Sequence, residues 1–309
     1  MTIDDRTGVD PLVSGTGARV VARDILSATG PDARTYLQGQ CSQDLEALAV
    51  GDSTESLILS PQGKVDAYVR VTRIGEESFV VDTDPGCGEV ARQRLERFRL
   101  RTKVEFASLD WACLSVRGAP AATLDVPAGP TLAVAVDWPH WAGVDLLGPA
   151  PADDPDLVGW LPKGVVTCPE ESWEAARIEA GVPMGGREVT ETTIAAEAGL
   201  VERTVSFTKG CFTGQELVAR LDARGSKVAR QLWGLVVHGD ARPPVGSVAW
   251  TTDGEHEVGT LTSVAWSHRL GVPVALATLH RRVRASDEVS VRWDGGQASA
   301  EVRSLPLID

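Results

Sequence analysis

Lys209-Gly210-Cys211-Phe212-Thr213-Gly214-Gln215-Glu216 carries more information than any other segment of this chain. It places a cysteine between two glycines and a lysine, just before what reads as a helix. Leu217, Val218 and Leu221 share one face at a 3.6-residue period. Gly214, or Thr213 before it, ends the loop, and Glu216 falls in the first turn, where acids are favoured. A thiol just ahead of a helix N-terminus and two residues from Lys209 is expected to ionise more easily than a free cysteine. Cys211 is therefore a candidate nucleophile or soft-metal ligand. The paired glycines allow positive φ or close backbone approach, as in a loop that meets a ligand. The plain alternative is an inert core thiol.

Downstream of the loop stands a basic cluster, Arg220, Arg224, Lys227 and Arg230. It is either a solvated face or a local docking place for an anionic ligand. From about Gln231 the pattern becomes all-β. Strands are expected at Leu232–Val237, Ser247–Trp250, Val258–Leu261, Val274–Leu279, Val289–Trp293 and Ala298–Val302, the spacing of a small barrel or sandwich. Upstream, Trp173 to Ala180 reads as a helix stopped by Gly181 and Pro183. Arg177 and Glu179 within it are two apart and share no face, so one can reach solvent while the other turns toward a cavity. A carboxylate accepts two N–H bonds from an amidine-like edge, such as the N3/2-amino edge of a pterin. An exposed surface glutamate fits the spacing equally.

Residues 118–172, rich in Pro, Gly and Ala, read as irregular or inserted, with short strands such as Leu132–Val136. In the first third, a strand at Ala18–Ala22 leads through Gly30-Pro31 into a short helix at Tyr36 and Leu37. Strand-like runs follow at Ser56–Leu59, Ala67–Thr72 and Ser78–Val81. Residues 88–99 look helical, with Val90, Arg94, Leu95 and Phe98 on one face. Val104 and Phe106 then alternate as a strand. This order suggests a split β-α-β, ferredoxin-like unit. The polar turns at Tyr36–Gln40 and Gln62–Asp66 are ordinary turns or pocket linings. The result is an α+β body of two subdomains, 1–110 and 111–228 with interleaving allowed, and a C-terminal β-domain at 229–309.

At 309 residues two or three domains are expected. Forty-three acidic against thirty basic residues give a net charge of −13, which disfavours general nucleic-acid or anionic-membrane binding. No apolar run approaches a membrane span, and the polar start of the chain has no signal-like pattern, so cytoplasm is expected. Five scattered cysteines with no C-x-x-C spacing argue against disulfides and against a self-contained metal site. Four of them are expected to be buried. The five histidines show no metal-ligand spacing, and no Ser-His-Asp arrangement is legible.

Together these residues resemble the YgfZ family, a folate-binding branch of the glycine-cleavage T-protein superfamily that includes the mitochondrial IBA57-type proteins. The resemblance covers Gly30–Ala33 with Tyr36–Gln40, Ser60–Lys64, Arg177–Pro183, Glu197–Leu200, the 209–216 octapeptide and Val258–Ser263. The family pattern has tyrosine where this chain has Phe212. True aminomethyltransferases show a related Lys-x-x-Phe-x-Gly-x-Glu pattern, matched by Lys209, Phe212, Gly214 and Glu216, whereas Cys211 and Gln215 belong to the YgfZ-like branch. Those enzymes also carry an Asp-Asp pair that falls here on Ala67 and Tyr68. Asp66 sits one residue early, on the opposite face of a strand.

The resemblance implies a T-protein-like fold whose ferredoxin-like subdomains form a cloverleaf around a central channel, with a small C-terminal β-barrel. It implies tetrahydrofolate, or a one-carbon derivative, as ligand. Glu179 is the implied pterin carboxylate, and Arg177, Gln40, Lys64, Gln215 and Arg220 complete the folate-binding candidates. It further implies a role in assembly or repair of iron–sulfur clusters, with client enzymes or assembly proteins as partners and Cys211 with Lys209 as the reactive pair. The alternative is a folate-dependent one-carbon transferase that takes its base from another carboxylate such as Asp66. A non-catalytic binding module with a buried Cys211 is a third reading, and glycine-cleavage activity is not expected.

Overall fold

The computed structural model describes residues 10–223, 225 and 227–308. The chain divides into two compact units that interleave in sequence. Unit one combines the N-terminal residues to Val21 with Ala112–Pro183 and the segment from Arg230 onward. Unit two combines Ala22–Trp111 with Met184–Ala229. Elements are numbered along the chain.

Unit two contains β2 (Asp24–Thr29), α2 (Ala33–Gln40), β3 (Ser53–Leu59), β4 (Val65–Arg73), β5 (Ser78–Thr83), α3 (Gly88–Arg97), β6 (Glu105–Leu109), α5 (Val201–Thr204) and α6 (Gln215–Asp222). Its antiparallel sheet runs β3-β4-β5-β2-β6. This is a β-α-β-β-α-β order with one strand added at an edge. Alternation sorts the side chains, and a register shift between Ile58 and Leu59 turns Val65 to the face opposite Ala67. Ile58, Ala67, Val69 and Val71 face a core closed by Tyr36, Leu37, Ala91 and Leu95 of α2 and α3. Leu57, Leu59 and Val65 face a second core closed by Leu200, Val205, Phe212 and Val218. The cysteine segment thus forms part of the cover over the sheet's other face.

The face of α3 differs from the sequence expectation. Ala91, Leu95 and the Arg94 stem turn inward, while Val90 and Phe98 stay 49% and 44% exposed. Arg94 is drawn in because its guanidinium meets the Asp66 carboxylate at 2.9 Å and the Leu59 carbonyl at 3.0 Å.

Unit one contains α1 (Pro11–Ser14), β1 (Gly17–Val21), β7 (Ala112–Arg117), β8 (Leu132–Val136), β9 (Gly143–Gly148), β10 (Val166–Thr167) and α4 (Glu170–Ala180). It also holds β11 (Arg230–Val237), β12 (Val248–Thr251), β13 (Glu257–Ser267), β14 (Val272–His280), β15 (Glu288–Trp293) and β16 (Gly296–Arg303). The first five strands form one sheet in the order β10-β1-β7-β9-β8, and the last six close into a barrel. All six expected C-terminal strands are present, around a core of small and branched side chains.

The stretch expected to be irregular supplies β9. All six of its residues are buried, so no polar-apolar alternation marks it as a strand. Gly143 opens it against β7, and a Cβ there would lie 1.8 Å from the Val116 carbonyl oxygen. Gly143→Ala should therefore cost roughly 3 kcal/mol or more, read as a fall in the urea midpoint. An unchanged midpoint would mean that β7 and β9 do not pack this closely.

Helix α4 packs on two sides within this unit. Ala176 and Ala180 join the tryptophans Trp138 and Trp141, and Ala175 and Ile178 join the outer face of the barrel. Gly181, at φ 71°, ends it in the left-handed conformation. A helix covered on both sides leaves no solvent face for its polar residues near the C-terminal end.

Candidate functional site

The residues singled out from sequence divide between the two units. Lys209, Cys211, Gln40, Lys64, Gln215 and Arg220 belong to unit two, and Arg177 and Glu179 belong to unit one.

In unit two, three quoted motifs converge. The Lys209 ammonium donates to the carbonyls of Gln38 at 2.6 Å, Cys41 at 2.7 Å and Gln43 at 2.9 Å. These lie at and just beyond the end of α2, where helix carbonyls lack intrahelical partners. All three ammonium protons are thereby committed to the backbone. Burial holds the Lys209 pKa below the ordinary lysine value, with Cys41, Asp44 and Glu46 pulling the other way. The lysine expected to act on the thiol thus anchors the loop instead.

One residue pair later, the Thr213 amide donates to the Gly39 carbonyl at 3.2 Å. Gly214 then turns the chain at φ 81°. A Cβ there would lie 2.6 Å from the Ser60 carbonyl oxygen, and one on Gly63 would lie 2.6 Å from Leu217 Cβ. The 60–64 turn and the start of α6 interlock through these two glycines. Gly210 needs neither allowance: its φ is not positive, and a Cβ there would meet nothing within 4 Å.

Phe212 points inward at 7% exposure and Cys211 points to solvent. A phenol in place of Phe212 would need a hydrogen-bond partner in that apolar core; the phenyl ring does not. Cys41, Cys113 and Cys168 are buried, and Cys87 is half-buried, so three cysteines rather than four are core residues. Burial pushes the Cys41 thiol up to about 11 and Cys168 to about 12. Cys211 is the exposed member of the five.

Gln40 is half-buried, and its Oε1 has no hydrogen-bond partner. Lys64 and Arg220 are exposed, and Gln215 opens α6 half-buried. Of the basic cluster, Arg224 lies outside the described residues. Arg230 starts a barrel strand in unit one, so it does not belong to the same unit as Arg220 and Lys227. Asp66 is bound to Arg94.

In unit one, Arg177 and Glu179 are both buried, at 1% and 2% exposure, so neither reaches solvent. The Arg177 guanidinium donates to the Val182 carbonyl at 2.6 Å, to both Glu174 oxygens at 2.7 and 3.0 Å, and to Ser263 Oγ at 2.5 Å. It ties α4 to its own C-terminal turn and to β13. The expectation that it faces a ligand gives way to this structural role, because protein acceptors surround it.

Glu179 is the opposite case. Its Oε2 is buried without a hydrogen-bond partner, and so is the Trp141 indole nitrogen. Burial raises the Glu179 pKa above the ordinary glutamate value. Ser267, the Arg269 charge and Trp141 pull it down, and Asp10 adds to the rise. The Arg269 guanidinium sits 4.6 Å above the Trp141 ring. These three neighbours were not legible from sequence, because they come from the Pro-rich stretch and from the barrel. The only local signal was the Trp138-Pro139-His140-Trp141 run, whose rings need burial somewhere. A buried carboxylate with one oxygen unpaired, beside an N–H donor without an acceptor, can take a flat group that offers both donors and an acceptor. Among the described residues, no group of three or more His, Cys, Asp or Glu is placed to hold a metal ion.

Comparison with known proteins converges on one superfamily. The GCVT N-terminal domain model matches residues 24–125, and the glycine cleavage T-protein C-terminal barrel domain matches residues 230–309. An aminomethyltransferase of Corynebacterium aurimucosum is 28% identical, over 90% of this chain and 82% of that protein. A mitochondrial iron-sulfur cluster assembly factor IBA57 homolog of Neurospora crassa is 26% identical, over 74% of this chain and 55% of that protein. The tRNA-modifying protein YgfZ of Edwardsiella ictaluri is 28% identical, over 67% of each. The crystal structure of the glycine cleavage system aminomethyltransferase T from Bartonella henselae superposes with a TM-score of 0.77. It covers 95% of this chain and 86% of that one at 20% identity, which shows the T-protein-like fold.

Two outcomes follow from the geometry. Lys209→Met removes the cation from three carbonyls and should cost about 3 kcal/mol of stability in denaturant unfolding; a loss below 0.5 kcal/mol would mean water replaces it freely. Glu179 has a folded pKa above its unfolded value, so folding takes up a proton between the two. Its carboxylate therefore subtracts stability progressively as pH rises through that window. The melting temperature of Glu179→Gln should match wild type near about pH 4 and exceed it at about pH 8. A difference that does not vary with pH would contradict desolvation of this carboxylate.

Proposed function

Because the chain belongs to the glycine-cleavage T-protein superfamily, we propose that it is a folate-binding protein of the YgfZ-like branch that assists assembly or repair of iron–sulfur clusters in client enzymes. The observation that carries the folate half is the buried Glu179 carboxylate whose Oε2 lacks a donor. The N3/2-amino edge of a pterin presents two N–H groups side by side, the complement of a carboxylate. The Trp141 N–H can donate to the ring carbonyl next to that edge. Glu179 and Trp141 would hold and orient the ring, and Arg177 keeps the helix that carries Glu179 in place. When bound, tetrahydrofolate supplies a carrier for a one-carbon unit.

The cluster half rests on Cys211, on the branch-specific octapeptide around it, and on the role named for the Neurospora relative. Thiolates suit iron–sulfur clusters, and one thiolate cannot hold a cluster alone. The cluster is therefore treated as cargo, with further ligands supplied by a client or assembly protein. Five free thiols and such cargo suit the reducing cytoplasm. An aminomethyl- or methyl-transferase reading is favoured by the Corynebacterium relative, but it needs a free carboxylate base. Its candidate, Asp66, is engaged by Arg94.

Anaerobic calorimetry with tetrahydrofolate tests the folate half. Wild type should bind, and Glu179→Gln should bind roughly 10-fold more weakly or worse, the equivalent of about 1–3 kcal/mol. Equal affinities would remove Glu179 from the site, and no binding to wild type would end the folate reading. Independently, Cys211→Ala should lower the activity of cluster-dependent enzymes in cells while leaving the melting temperature unchanged. Full client activity in that variant would reduce Cys211 to a surface thiol.

A further inference from the structure

The segment that ends α3 carries charge and apolar surface that the fold leaves unused. Between Arg92 and Lys103 the sequence places Arg92, Arg94, Arg97, Arg99, Arg101 and Lys103 against one acid, Glu96, in a chain of net charge −13. Arg92 is paired with Glu89 and Glu96, and Arg94 with Asp66. Arg97, Arg101 and Lys103 are exposed and make no ion pair among the described residues. Val90, Phe98 and Leu100 are exposed beside them, Leu100 at 87%. No other large apolar side chain of the described residues is as exposed. Val90 and Phe98 belong to the apolar stripe that the sequence suggests is buried. Arg94 and Leu95 of that stripe turn inward with Ala91, and Val90 and Phe98 at its margin are left exposed.

We infer that this face, Val90, Arg97, Phe98, Leu100, Arg101 and Lys103, is a docking surface for an acidic protein segment that carries aliphatic side chains. Charge complementarity fixes the sign of the partner, since an excess of unpaired guanidinium groups on an acidic protein repels basic partners and attracts acidic ones. The apolar members fix its class. Leu100 has no role in holding a phosphate backbone, and the Phe98 ring is not an open stacking platform. The Arg94 guanidinium lies 4.2 Å and the Arg97 guanidinium 5.7 Å from its centroid, so a nucleobase would have to displace a cation–π contact. An aliphatic anchor on Leu100, flanked by carboxylates on the arginines, satisfies both features.

The test replaces Leu100 by p-benzoylphenylalanine in the full chain, expressed in its native host, with the same residue at Val245 as control. Val245 is exposed at 63% in the barrel unit, outside this face. Irradiation should give an adduct at position 100 whose cross-linked peptide, sequenced by mass spectrometry, is net acidic and contains an aliphatic residue at the attachment point. Arg97→Glu with Arg101→Glu, both at exposed positions, should reduce that adduct at least 10-fold while circular dichroism shows the variant still folded. RNA adducts, adducts to non-acidic peptides, the same adducts from position 245, persistence in the charge-reversed variant, or no adduct would each overturn the inference.

Discussion

One ammonium group sets the geometry of the cysteine segment. The end of α2 leaves carbonyls of Gln38, Cys41 and Gln43 for which the backbone offers no donor, and Lys209 reaches all three. With Lys209 fixed, the residues after it alternate: Phe212 enters the apolar core while Cys211 is left outside. The left-handed turn at Gly214 then launches α6 against the 60–64 turn, where the space for a side chain is already taken. A lysine free to approach the thiol would leave that helix end unsatisfied. The exposed thiol and the buried lysine are two consequences of the same hydrogen bonds.

Arg177 and Glu179 show how two neighbours on one helix acquire opposite roles. Burial on both sides of α4 removes water from both, so each needs protein partners. Arg177 finds acceptors in Glu174, Val182 and Ser263, while Glu179 keeps an oxygen without a donor. Other buried acids in the chain are answered by cations, Asp82 by Arg23 and Arg70, Asp145 by Arg117. Glu179 makes no ion pair among the described residues; the Arg269 charge, Ser267 and Trp141 offset part of its burial and leave one oxygen unpaired, and such incompletely answered groups concentrate where a ligand completes the set.

The barrel was legible because its strands are half-covered, so alternation and turn residues marked all six. Helix α4 was legible through its period and its Gly181 stop. Strand β9 was not, because a strand buried on both faces loses alternation and then resembles loop or core alike. The inward face of α3 was misplaced by part of a turn: Leu95 turns in as expected, but Ala91 takes the place of Val90, and Arg94 follows inward to meet Asp66, a contact no local spacing records. The loop and the Glu179 helix stood out as motifs, but their surroundings did not. Trp141, Ser267 and Arg269 approach Glu179 through tertiary packing, and the carbonyls that hold Lys209 lie some 170 positions away in the chain. Spacing between neighbours carries no record of such contacts.

The same geometry bears on what an exposed thiol can do. A catalytic cysteine must be ionised before it attacks, which is why such residues have a dedicated cation, base or helix end close by. Lys209, the cation two positions before it in sequence, is bound to three carbonyls, and Cys211 precedes the Gly214 cap of α6 by three residues. A thiol that ligates a metal has no such requirement. The metal itself competes the proton away on binding, so access matters more than prior activation. Exposure without a committed activating partner therefore fits a metal-ligand chemistry for Cys211 better than a nucleophilic one.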